Sequence, residues 1–434
     1  MTWLRLAFAN LCLSPLSSAV NVLLMTLGTA SIVLLLLAGS QLTERMARDA
    51  RGIDLVLGAK GSPIQLVLSA VYHADTPTGN IPLQAAQRWA ADPRIARAVP
   101  LSLGDSYREF RIVGTTTDIL EIYDATLIEG RPWKKSMEAV VGAATAEAQS
   151  LGLGARFASS HGLADGGPVH DYRPYEVVGV LAPTGTVIDR LVLTSLDSVW
   201  DLHDVDHVGQ SRHGGLITLS NSGRPAVQDA QTTSANTSPS TPSVGLPEEH
   251  ARDRNDITAM LLSYRSPIAA ISLPRLINAD PALQAAAPAI EVSRVLQLIG
   301  IGLDGLEAFA WVLIVTAGLS VFAALYGSLH ARQRDLATLR CLGATRGELM
   351  LSMLLEGLLL SVVGVTLGFL LGHVTMELLG GWLQSARGIE LTGWRWLPAE
   401  TGLLLGLFAV GAVAAAIPAV QAYRNDPART LAQS

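Results

Sequence analysis

Charged residues are scarce in this chain of 434 residues. They make up 16% of the sequence, whereas hydrophobic residues make up 49%, and the mean hydropathy is +0.36. A soluble globular domain carries about 25% charged residues, so this deficit indicates a membrane protein. The net charge of −6 excludes the broad basic surface that binding of nucleic acid requires.

Cysteine is also nearly absent, since the chain has only Cys12 and Cys341. Both lie in segments that the charge distribution assigns to the cytoplasm, as described below. The large region assigned to the outside has none, so it must fold around its own core without disulfides. Its size is sufficient for such a core.

Motifs for nucleotide chemistry are missing as well. The chain has no G-x-x-x-x-G-K-[S/T] sequence, and GAKGS at Gly58–Ser62 lacks the spacing that lets backbone amides surround a phosphate. No nucleophile–base constellation stands out, which disfavours a membrane-anchored enzyme. We therefore expect no catalytic residues and no directly bound cofactor.

Four long apolar stretches are present, and a helix needs about 20 such residues to cross a bilayer. The first is uncharged over 6–43, and the others cover about 308–331, 349–371 and 401–423. The first lacks a small-residue cleavage site, so we interpret it as a retained anchor. The sequence predicts an integral membrane α-helical protein with four transmembrane helices.

The distribution of arginine predicts the orientation of these helices. Arginines cluster between the second and third stretches and after the fourth, so the positive-inside rule places both termini and the 332–348 segment in the cytoplasm. Residues 41–300 then lie outside. Basic residues after the first stretch disagree, but the rule weakens for long translocated domains.

Residues 41–300 mix strand and helix patterns, which predicts a large α+β extracytoplasmic domain. We interpret 101–115 as a hairpin that turns at Gly104 and Asp105, and 83–99 as a helix broken near Pro93.

The apolar pattern stops over 221–256, where Ser, Thr, Asn, Pro and Gln predominate. Such a segment cannot bury enough apolar area to offset its ordering entropy, so we predict a disordered loop. An extended functional arm is the alternative.

Two sequence blocks point to a known family. The block ARQRDLATLRCLGATRGELMLSMLLEGLLLSVVGVTLGFLLG covers 331–372, and AAIPAVQAYRNDPARTL follows near the end. Outside the membrane, TLIEGRPW at 126–133 precedes AVVGAATAEAQSLGLGARF at 139–157. These motifs and the order of parts resemble the MacB / LolC-LolE / FtsX family of ABC transporter permeases over nearly the whole chain. Residues 54–82 are similar to a subgroup signature without a known mechanism.

The resemblance implies three parts: a cytoplasmic segment with the first helix over 1–40, a MacB-like periplasmic domain over 41–300, and an FtsX-like permease domain over 301–434. It implies a bacterial inner-membrane protein that works by mechanotransmission. The implied partners are two copies of a cytoplasmic ABC ATPase, which would bind ATP and Mg, a second permease chain (identical or a paralogue) and membrane lipid. A periplasmic adaptor or substrate-binding protein is a further candidate partner.

The 332–348 segment is the candidate for coupling to the ATPase. Leu336 and Leu339 form an apolar strip among arginines, Gly343 suits a helix C-cap, and Thr345 with Glu348 forms a capping box. A groove on the ATPase or anionic lipid headgroups could receive this short helix, and the resemblance favours the ATPase. The coupling residues are Arg332, Arg334, Leu336, Leu339, Arg340, Leu342 and Gly343.

Four residues of the third stretch are candidates for helix packing. Glu356 is expected to face the bundle interior, either as a neutral or hydrogen-bonded packing residue or as a proton relay. Gly364, Gly368 and Gly372 form a G-x-x-x-G-x-x-x-G ridge that permits close approach, within the bundle or between two copies.

A His/Asp cluster follows Asp201. His203 and His207 share one face if the segment is helical, and together with Asp204 they are compatible with exchangeable zinc. The alternative is a solvated loop.

The leading hypothesis for function is a permease that exports or extracts a substrate. The alternative is an FtsX-like regulator whose outer domain activates a periplasmic cell-wall hydrolase. Metal handling would follow only if the histidine cluster binds zinc.

Overall fold

The computed structural model describes residues 2–13, 15–162, 172–202, 255–331, 338, 341–387 and 390–424. The predicted fold class is confirmed, because the structure contains four long apolar helices and a mixed α/β sheet domain. The chain divides into two compact units. We call Met1–Ala47 with Ser293–Ser434 the helix unit, and Arg48–Val292 the sheet unit.

The helix unit contains a short first helix and four helices that are long and apolar enough to cross a membrane. These helices are α1 (Thr2–Leu13), α2 (Pro15–Asp49), α9 (Pro288–Ala331), α10 (Arg346–Arg387) and α11 (Pro398–Arg424).

Two of the four long helices, α9 and α10, extend well beyond the predicted spans. A helix of 44 residues such as α9 is about 66 Å long at 1.5 Å per residue, whereas the hydrocarbon core is about 30 Å thick. Hydropathy detects only the apolar part of each helix and misses its polar extensions. The unit boundary falls inside α2 and inside α9 rather than in a loop.

Apolar side chains from α2, α9, α10 and α11 form the core of the helix unit. Met25, Ile314, Val365 and Leu407, one from each helix, belong to a single buried cluster. Sequence predicts these helices because their residues are uniformly apolar, and packing selects which of their faces are buried.

The sheet unit is built on a sheet of eleven strands with both parallel and antiparallel pairs. Its main path runs β13-β1-β12-β3-β4-β10-β6-β9-β5, with β7 paired to β9 and β8 to β3. The pairs β4–β10 and β6–β9 are parallel. A two-stranded pair, β2 with β11, lies apart from this sheet.

The strands have the following bounds: β1 Leu55–Ala59, β2 Ile81–Pro82, β3 Ile95–Tyr107, β4 Phe110–Thr115, β5 Leu127–Gly130, β6 Glu138–Val141, β7 Arg156–Phe157, β8 Ser160–His161, β9 Tyr175–Leu181, β10 Leu191–Ser195, β11 Asp256–Ile257, β12 Ala259–Tyr264 and β13 Leu283–Ala286. The helices are α3 Pro63–Ala70, α4 Leu83–Ala90, α5 Asp118–Ile122, α6 Ala143–Gln149, α7 over 196–202, α8 Ala269–Asn278 and a 3₁₀ helix Val187–Arg190.

Both faces of the sheet are buried. Val56 belongs to one core cluster, and its neighbours Leu55 and Leu57 belong to another. Because successive side chains of a strand point to opposite faces, these clusters lie on the two sides of the sheet. Helix α3 contributes Leu66 to the first cluster, and α8 contributes Leu273 to the second.

The predicted hairpin forms, but its turn is elsewhere. Strands β3 and β4 pair as expected, and the chain turns at Arg108 and Glu109, where Arg108 has a φ of +54°. Gly104 and Asp105 instead lie in a register shift within β3, and Asp105 pairs with His161 of β8. The glycine signal therefore marked a bulge, which is a common use of glycine within a strand.

Two further expectations were wrong in part. The segment 83–99 is not one broken helix, because α4 ends at Ala90 and β3 begins at Ile95. Its β-branched residues are buried in the sheet, so tertiary packing overrides the helical pattern.

The predicted disordered loop over 221–256 is too long at its C-terminal end, because Asp256 and Ile257 pair with β2. The part of the loop over 221–254 lies outside the described residues.

Candidate functional site

The reversal between α9 and α10 has the local geometry that the sequence predicts. The φ of Gly343 is +106°, a value that favours glycine, and Leu342 N donates to Thr338 O at 3.0 Å. Thr345 N donates to Glu348 Oε2 at 2.7 Å, and Glu348 N donates to Thr345 Oγ1 at 3.3 Å. These reciprocal bonds confirm the capping box at the start of α10.

Of the predicted coupling residues, the structure describes Leu342 and Gly343. Leu342 and Gly343 are exposed, and 79% of Leu342 is accessible within the chain. An exposed apolar residue in this reversal is available to a partner or to lipid. The other coupling residues lie outside the described part of the chain: Arg332, Arg334, Leu336, Leu339 and Arg340.

The glycine ridge of α10 lies against α2 of the same chain. A Cβ on Gly364 would be 2.7 Å from Met25 Cβ, and one on Gly368 would be 2.6 Å from both the Thr26 carbonyl oxygen and Thr29 Cβ. A Cβ on Gly372 would be 2.9 Å from Val33 Cβ. The three glycines therefore allow two helix backbones to approach closely. Thr26 Oγ1 also donates to the Gly364 carbonyl at 3.2 Å.

Glu356 is buried within the helix unit, with 2% of its surface exposed. Its position about two turns before the first glycine of the ridge places a carboxyl group in an apolar interior. Burial of this kind is costly unless the group is neutral or hydrogen-bonded. The structure is thus compatible with either role that the sequence left open.

A polar cluster that sequence reasoning missed holds the loop between α10 and α11. The side-chain amide of Gln41 in α2 donates to Thr392 O at 2.8 Å and accepts from Thr392 N at 2.9 Å. Arg395 donates to both carboxylate oxygens of Glu44, at 2.6 and 2.9 Å. Such bidentate pairs fix geometry as well as charge. Polar residues at the ends of the first, third and fourth spans are the signal that could have indicated this cluster.

Two side chains of α10 complete the cluster. Glu377 Oε2 accepts from Gly393 N at 2.8 Å and from Thr392 Oγ1 at 3.0 Å. His373 lies 2.5 Å from the Gly393 carbonyl oxygen through Nδ1 and 3.6 Å from Glu400 Oε2 through Nε2. The backbone of the loop rests directly on α10, because a Cβ on Gly393 would overlap the His373 carbonyl oxygen.

In the sheet unit, the last residue of α2 is a buried carboxylate. Asp49 Oδ1 accepts from Val187 N at 2.7 Å. An acid at a helix C-terminus opposes the helix dipole, so its position requires compensation from tertiary contacts. Burial, and to a smaller extent the negative charge of Asp49, raises the pKa of Tyr72 and of Tyr123.

A turn next to Asp49 is organised by Asp189. The carboxylate of Asp189 accepts from Thr184 N at 3.0 Å, from Thr184 Oγ1 at 2.9 Å and from Gly185 N at 2.8 Å. This turn holds Val187 N in position for Asp49. The φ of Gly185 is +69°, so a side chain there would be strained.

The segment 54–82 has a structural role in the sheet unit. In its GAKGS stretch, Lys60 Nζ donates to the carbonyls of Asn278 and Asp280, at 2.9 and 3.1 Å, and Ser62 caps α3. His73 of the same segment is buried with a φ of +51°. Burial, followed by the charges of Arg111 and Arg190, lowers the pKa of His73 to about 3, so this histidine is neutral at physiological pH.

The G-R-P-W motif at 130–133 also has a structural explanation. Arg131 donates to both carboxylate oxygens of Glu138, at 2.7 and 2.6 Å, and this interaction holds the pKa of Glu138 at about 2. Trp133 is buried in the core. Gly130 allows the close approach of β9, because a Cβ would overlap the Val178 carbonyl oxygen.

The predicted metal ligands His203, Asp204 and His207 lie outside the described residues. The neighbouring Asp201 is described, and its Oδ2 accepts from Ser136 Oγ at 2.7 Å and lies 3.2 Å from Arg173 Nη1. Within the part of the chain that the structure describes, no group of three or more His, Cys, Asp or Glu residues could hold a metal ion.

Several solved structures are similar to this chain at low identity. The periplasmic region of MacB from Actinobacillus actinomycetemcomitans is 11% identical, with a TM-score of 0.32, over 57% of this chain and 95% of that one. The extracellular domain of the noncanonic ABC-type transporter YknZ from Gram-positive bacteria is 12% identical, with a TM-score of 0.27, over 53% and 98%. A domain of a permease protein from Porphyromonas gingivalis is 12% identical, with a TM-score of 0.26, over 55% and 89%.

No curated protein matches the chain. Two family models match it in succession along the sequence. The MacB-like periplasmic core domain matches residues 18–233, and the FtsX-like permease C-terminal domain matches residues 307–427. Together they cover most of the chain, in the order that the sequence motifs predict. The chain belongs to the family of ABC transporter permeases with a MacB-like periplasmic domain and an FtsX-like permease domain.

Proposed function

We propose that this chain transmits the energy of ATP hydrolysis from a separate cytoplasmic ATPase to its periplasmic domain. In this mechanism the helices move when ATP binds or is hydrolysed, and the periplasmic domain changes shape to export or extract a substrate. The sequence contains no P-loop motif, so the proposal requires an ABC ATPase as the partner. The capped reversal between α9 and α10 is the observation that carries the proposal.

The chemistry of the reversal supports this role. A glycine C-cap and a capping box set the direction of the chain over few residues, and Leu342 stays exposed beside them. A segment with a defined direction and an unburied apolar residue suits a groove on another protein.

The connection to the periplasmic domain is also helical. The chain passes between its two units within α2 and within α9. The end of α2 is fixed in the sheet unit by the bond from Val187 N to Asp49 Oδ1. Motion of a membrane helix would therefore act on ordered backbone instead of being absorbed by a flexible linker.

The match to the MacB-like domain supports transport over regulation of a cell-wall hydrolase. We place the chain in the bacterial inner membrane with both termini in the cytoplasm. The functional assembly would contain two permease chains and two ATPase subunits, because each nucleotide sandwich needs two ATPases and each chain supplies one coupling segment.

The proposal is tested by measuring ATP hydrolysis of the purified chain with and without its ABC ATPase, identified by co-purification with the chain. We expect no hydrolysis by the chain alone, and we expect the rate of hydrolysis by the ATPase to change when the chain is added. Mass measurement of the active complex should give two permease chains and two ATPases. Robust hydrolysis by the chain alone, with contaminating ATPases excluded, would contradict the proposal, as would an active complex with one permease chain.

A further inference from the structure

Two tryptophans of the loop 390–397 expose their rings at the end of α10 that is opposite the capped reversal. Within the chain, 82% of Trp394 and 56% of Trp396 is accessible. An indole ring has a large apolar surface and a polar N–H, so it is poorly accommodated by water alone. The Trp396 nitrogen donates to Thr401 Oγ1 at 3.3 Å, whereas the Trp394 nitrogen makes no hydrogen bond to a described residue. Trp394 therefore presents an apolar ring and an available donor.

The contacts of this loop with α10 give its height along the helix. Gly393 N donates to Glu377 Oε2 at 2.8 Å, and a Cβ on Gly393 would overlap the His373 carbonyl oxygen. The predicted apolar span of α10 ends at residue 371, so His373 and Glu377 lie about 3 Å and about 9 Å beyond it. The headgroup layer adds about 5–7 Å on each side of the hydrocarbon core. The loop therefore lies at the level of the headgroups.

A ring contact places one tryptophan at the boundary of the span. The ring of Trp396 packs on Phe369, with centroids 5.3 Å apart. Phe369 lies inside the apolar span, and the next residues, Leu370 and Leu371, are exposed to the surroundings of the chain. Tryptophan is enriched at the membrane–water interface, where the ring meets apolar chains and the N–H meets polar groups. The exposed rings thus lie where the apolar surface of α10 reaches the headgroups.

Polar bonds of the loop fix the height of both rings. Gln41 exchanges two hydrogen bonds with the backbone of Thr392. Arg395, which lies between the two tryptophans, is paired with Glu44, so its charge is compensated next to the rings. Gln41 and Glu44 both belong to α2. The loop therefore joins α2 to α10 at one height.

We propose that the loop 390–397 anchors the chain at the membrane surface, with the rings of Trp394 and Trp396 among the phospholipid headgroups of the outer leaflet. The Trp394 N–H donates to an ester carbonyl or phosphate oxygen of a lipid. Because the loop is bonded to both α2 and α10, its position fixes the depth of these two helices. This role needs no ATPase, so its test is independent of the proposed transport function.

The position of the Trp394 ring is measured by fluorescence of the full chain in phosphatidylcholine vesicles. Bromine atoms on the acyl chains quench tryptophan at short range, and they can be placed near the headgroup or near the bilayer centre. The emission that is lost in Trp394→Phe isolates the signal of this ring. We expect the shallow bromines to quench this signal more strongly than the deep ones. Trp382 lies about 16 Å beyond the span, so the signal isolated with Trp382→Phe should respond to neither.

Three outcomes of this measurement would overturn the proposal. Equal or stronger quenching by the deep bromines would place the ring in the hydrocarbon core. Quenching by aqueous acrylamide alone would place it in water. A ring that is protected from acrylamide and from both bromines would be covered by protein instead of lipid.

The effect on α2 is measured at Leu42, which is exposed next to Gln41. A Leu42→Cys variant in a Cys12→Ser/Cys341→Ser background is labelled in vesicles with a membrane-impermeant maleimide. We expect Trp394→Ser/Trp396→Ser to accelerate labelling by about tenfold (about 1.4 kcal/mol of lost protection), because the end of α2 is no longer held at the headgroups.

Trp382→Ser is the matched control, since this ring is also exposed but lies farther from the span. It should leave the labelling rate unchanged. Thermal unfolding in detergent should be the same for the double variant and its parent, which separates loss of anchoring from loss of the fold. An unchanged or slower labelling rate in the double variant would contradict the anchoring role.

Discussion

Gly368 allows α10 to pack closely on α2 because its side chain is a single hydrogen atom. Any other residue would place a carbon 2.6 Å from the carbonyl oxygen of Thr26 and from Thr29 Cβ. One of these contacts is to backbone, which cannot rotate away as a side chain can. Gly381 of the same helix has nothing within 4 Å of the corresponding position. Gly368 therefore lies in a tight helix contact, whereas Gly381 of the same helix does not.

We predict that Gly368→Ala destabilises the chain and Gly381→Ala does not. Overpacking at Gly368 should cost roughly 1–3 kcal/mol, more than the helix propensity gained from alanine, about 1 kcal/mol. The measurement is thermal unfolding in detergent for both variants. If both variants raise the unfolding temperature equally, then α2 and α10 do not pack through this ridge.

His73 makes the stability of the sheet unit sensitive to acid. Its pKa is about 3 in the folded state and 6.5 in the unfolded state, so the unfolded chain binds the proton more readily. The contribution of the neutral histidine is complete above pH 6.5. It decreases as the pH falls from 6.5 towards 3, by about 1.4 kcal/mol for each pH unit in that window.

We predict that His73→Asn reduces the loss of stability between pH 6.5 and pH 3. Asparagine tolerates the positive φ at this position and does not take up a proton. Chemical unfolding of the full chain at several pH values measures the effect, with the exposed His330→Asn as the control. A wild-type pH profile in the His73→Asn variant would show that another group controls acid sensitivity.

At the scale of elements, the proposed function depends most directly on the segment between α9 and α10. Its C-terminal end is defined by local signals, namely Gly343 and the Thr345–Glu348 capping box. The apolar strip of Leu336 and Leu339 belongs to the same predicted helix. If the strip seats on the ATPase, a charge there would be buried without a partner.

We predict that Leu336→Asp or Leu339→Asp uncouples the complex. Burying an unpaired carboxylate costs several kcal/mol, which is enough to displace a short helix from a groove. Co-purification of the ATPase and its stimulation by the permease are the two measurements. Leu153→Asp, at an exposed leucine of the sheet unit, is the control and should keep both. Persistence of both properties in the two coupling variants would refute the assignment.

At the scale of the whole molecule, labelling of its two cysteines can test the proposed orientation in the membrane. Cys12 and Cys341 are exposed within the chain and both fall on the proposed cytoplasmic side. We predict that a membrane-impermeant thiol reagent labels neither in intact spheroplasts and labels Cys341 after lysis. A cysteine introduced by Leu153→Cys should be labelled from outside in a Cys12→Ser/Cys341→Ser background. Labelling of Cys341 in intact spheroplasts would reverse the orientation.

Zinc binding by His203, His207 and Asp204 would give the transporter a link to metals. Neutral imidazoles and a carboxylate suit zinc, and with no cysteine nearby the ion would be exchangeable. We predict that the full chain binds zinc at neutral pH. Binding should weaken as the pH falls below the ordinary pKa of a histidine side chain, about 6.5, because protonated imidazole cannot ligate a metal.

Calorimetric titration with zinc measures this, and His203→Ala/His207→Ala should abolish binding while His330→Ala retains it. Absence of binding at neutral pH, or unchanged binding in the double variant, would assign these residues to a solvated loop.

The sequence alone determined the features that depend on neighbours along the chain. Uninterrupted apolar stretches predict four membrane helices, since about 20 apolar residues suffice to cross a bilayer. The capping box at Thr345 also follows from a local pattern, and the structure bears it out. Each of these depends on residues within a few positions of each other.

Only the tertiary structure decided which distant residues meet. The ridge of Gly364, Gly368 and Gly372 could have faced a second copy, and the structure packs it on α2, which lies far earlier in the chain. His373 and Glu400 belong to different helices, and their contact depends on how the α10–α11 loop rests on α10. Periodicity shows that a residue is buried but not against what, because packing partners are selected by shape and charge across the whole fold.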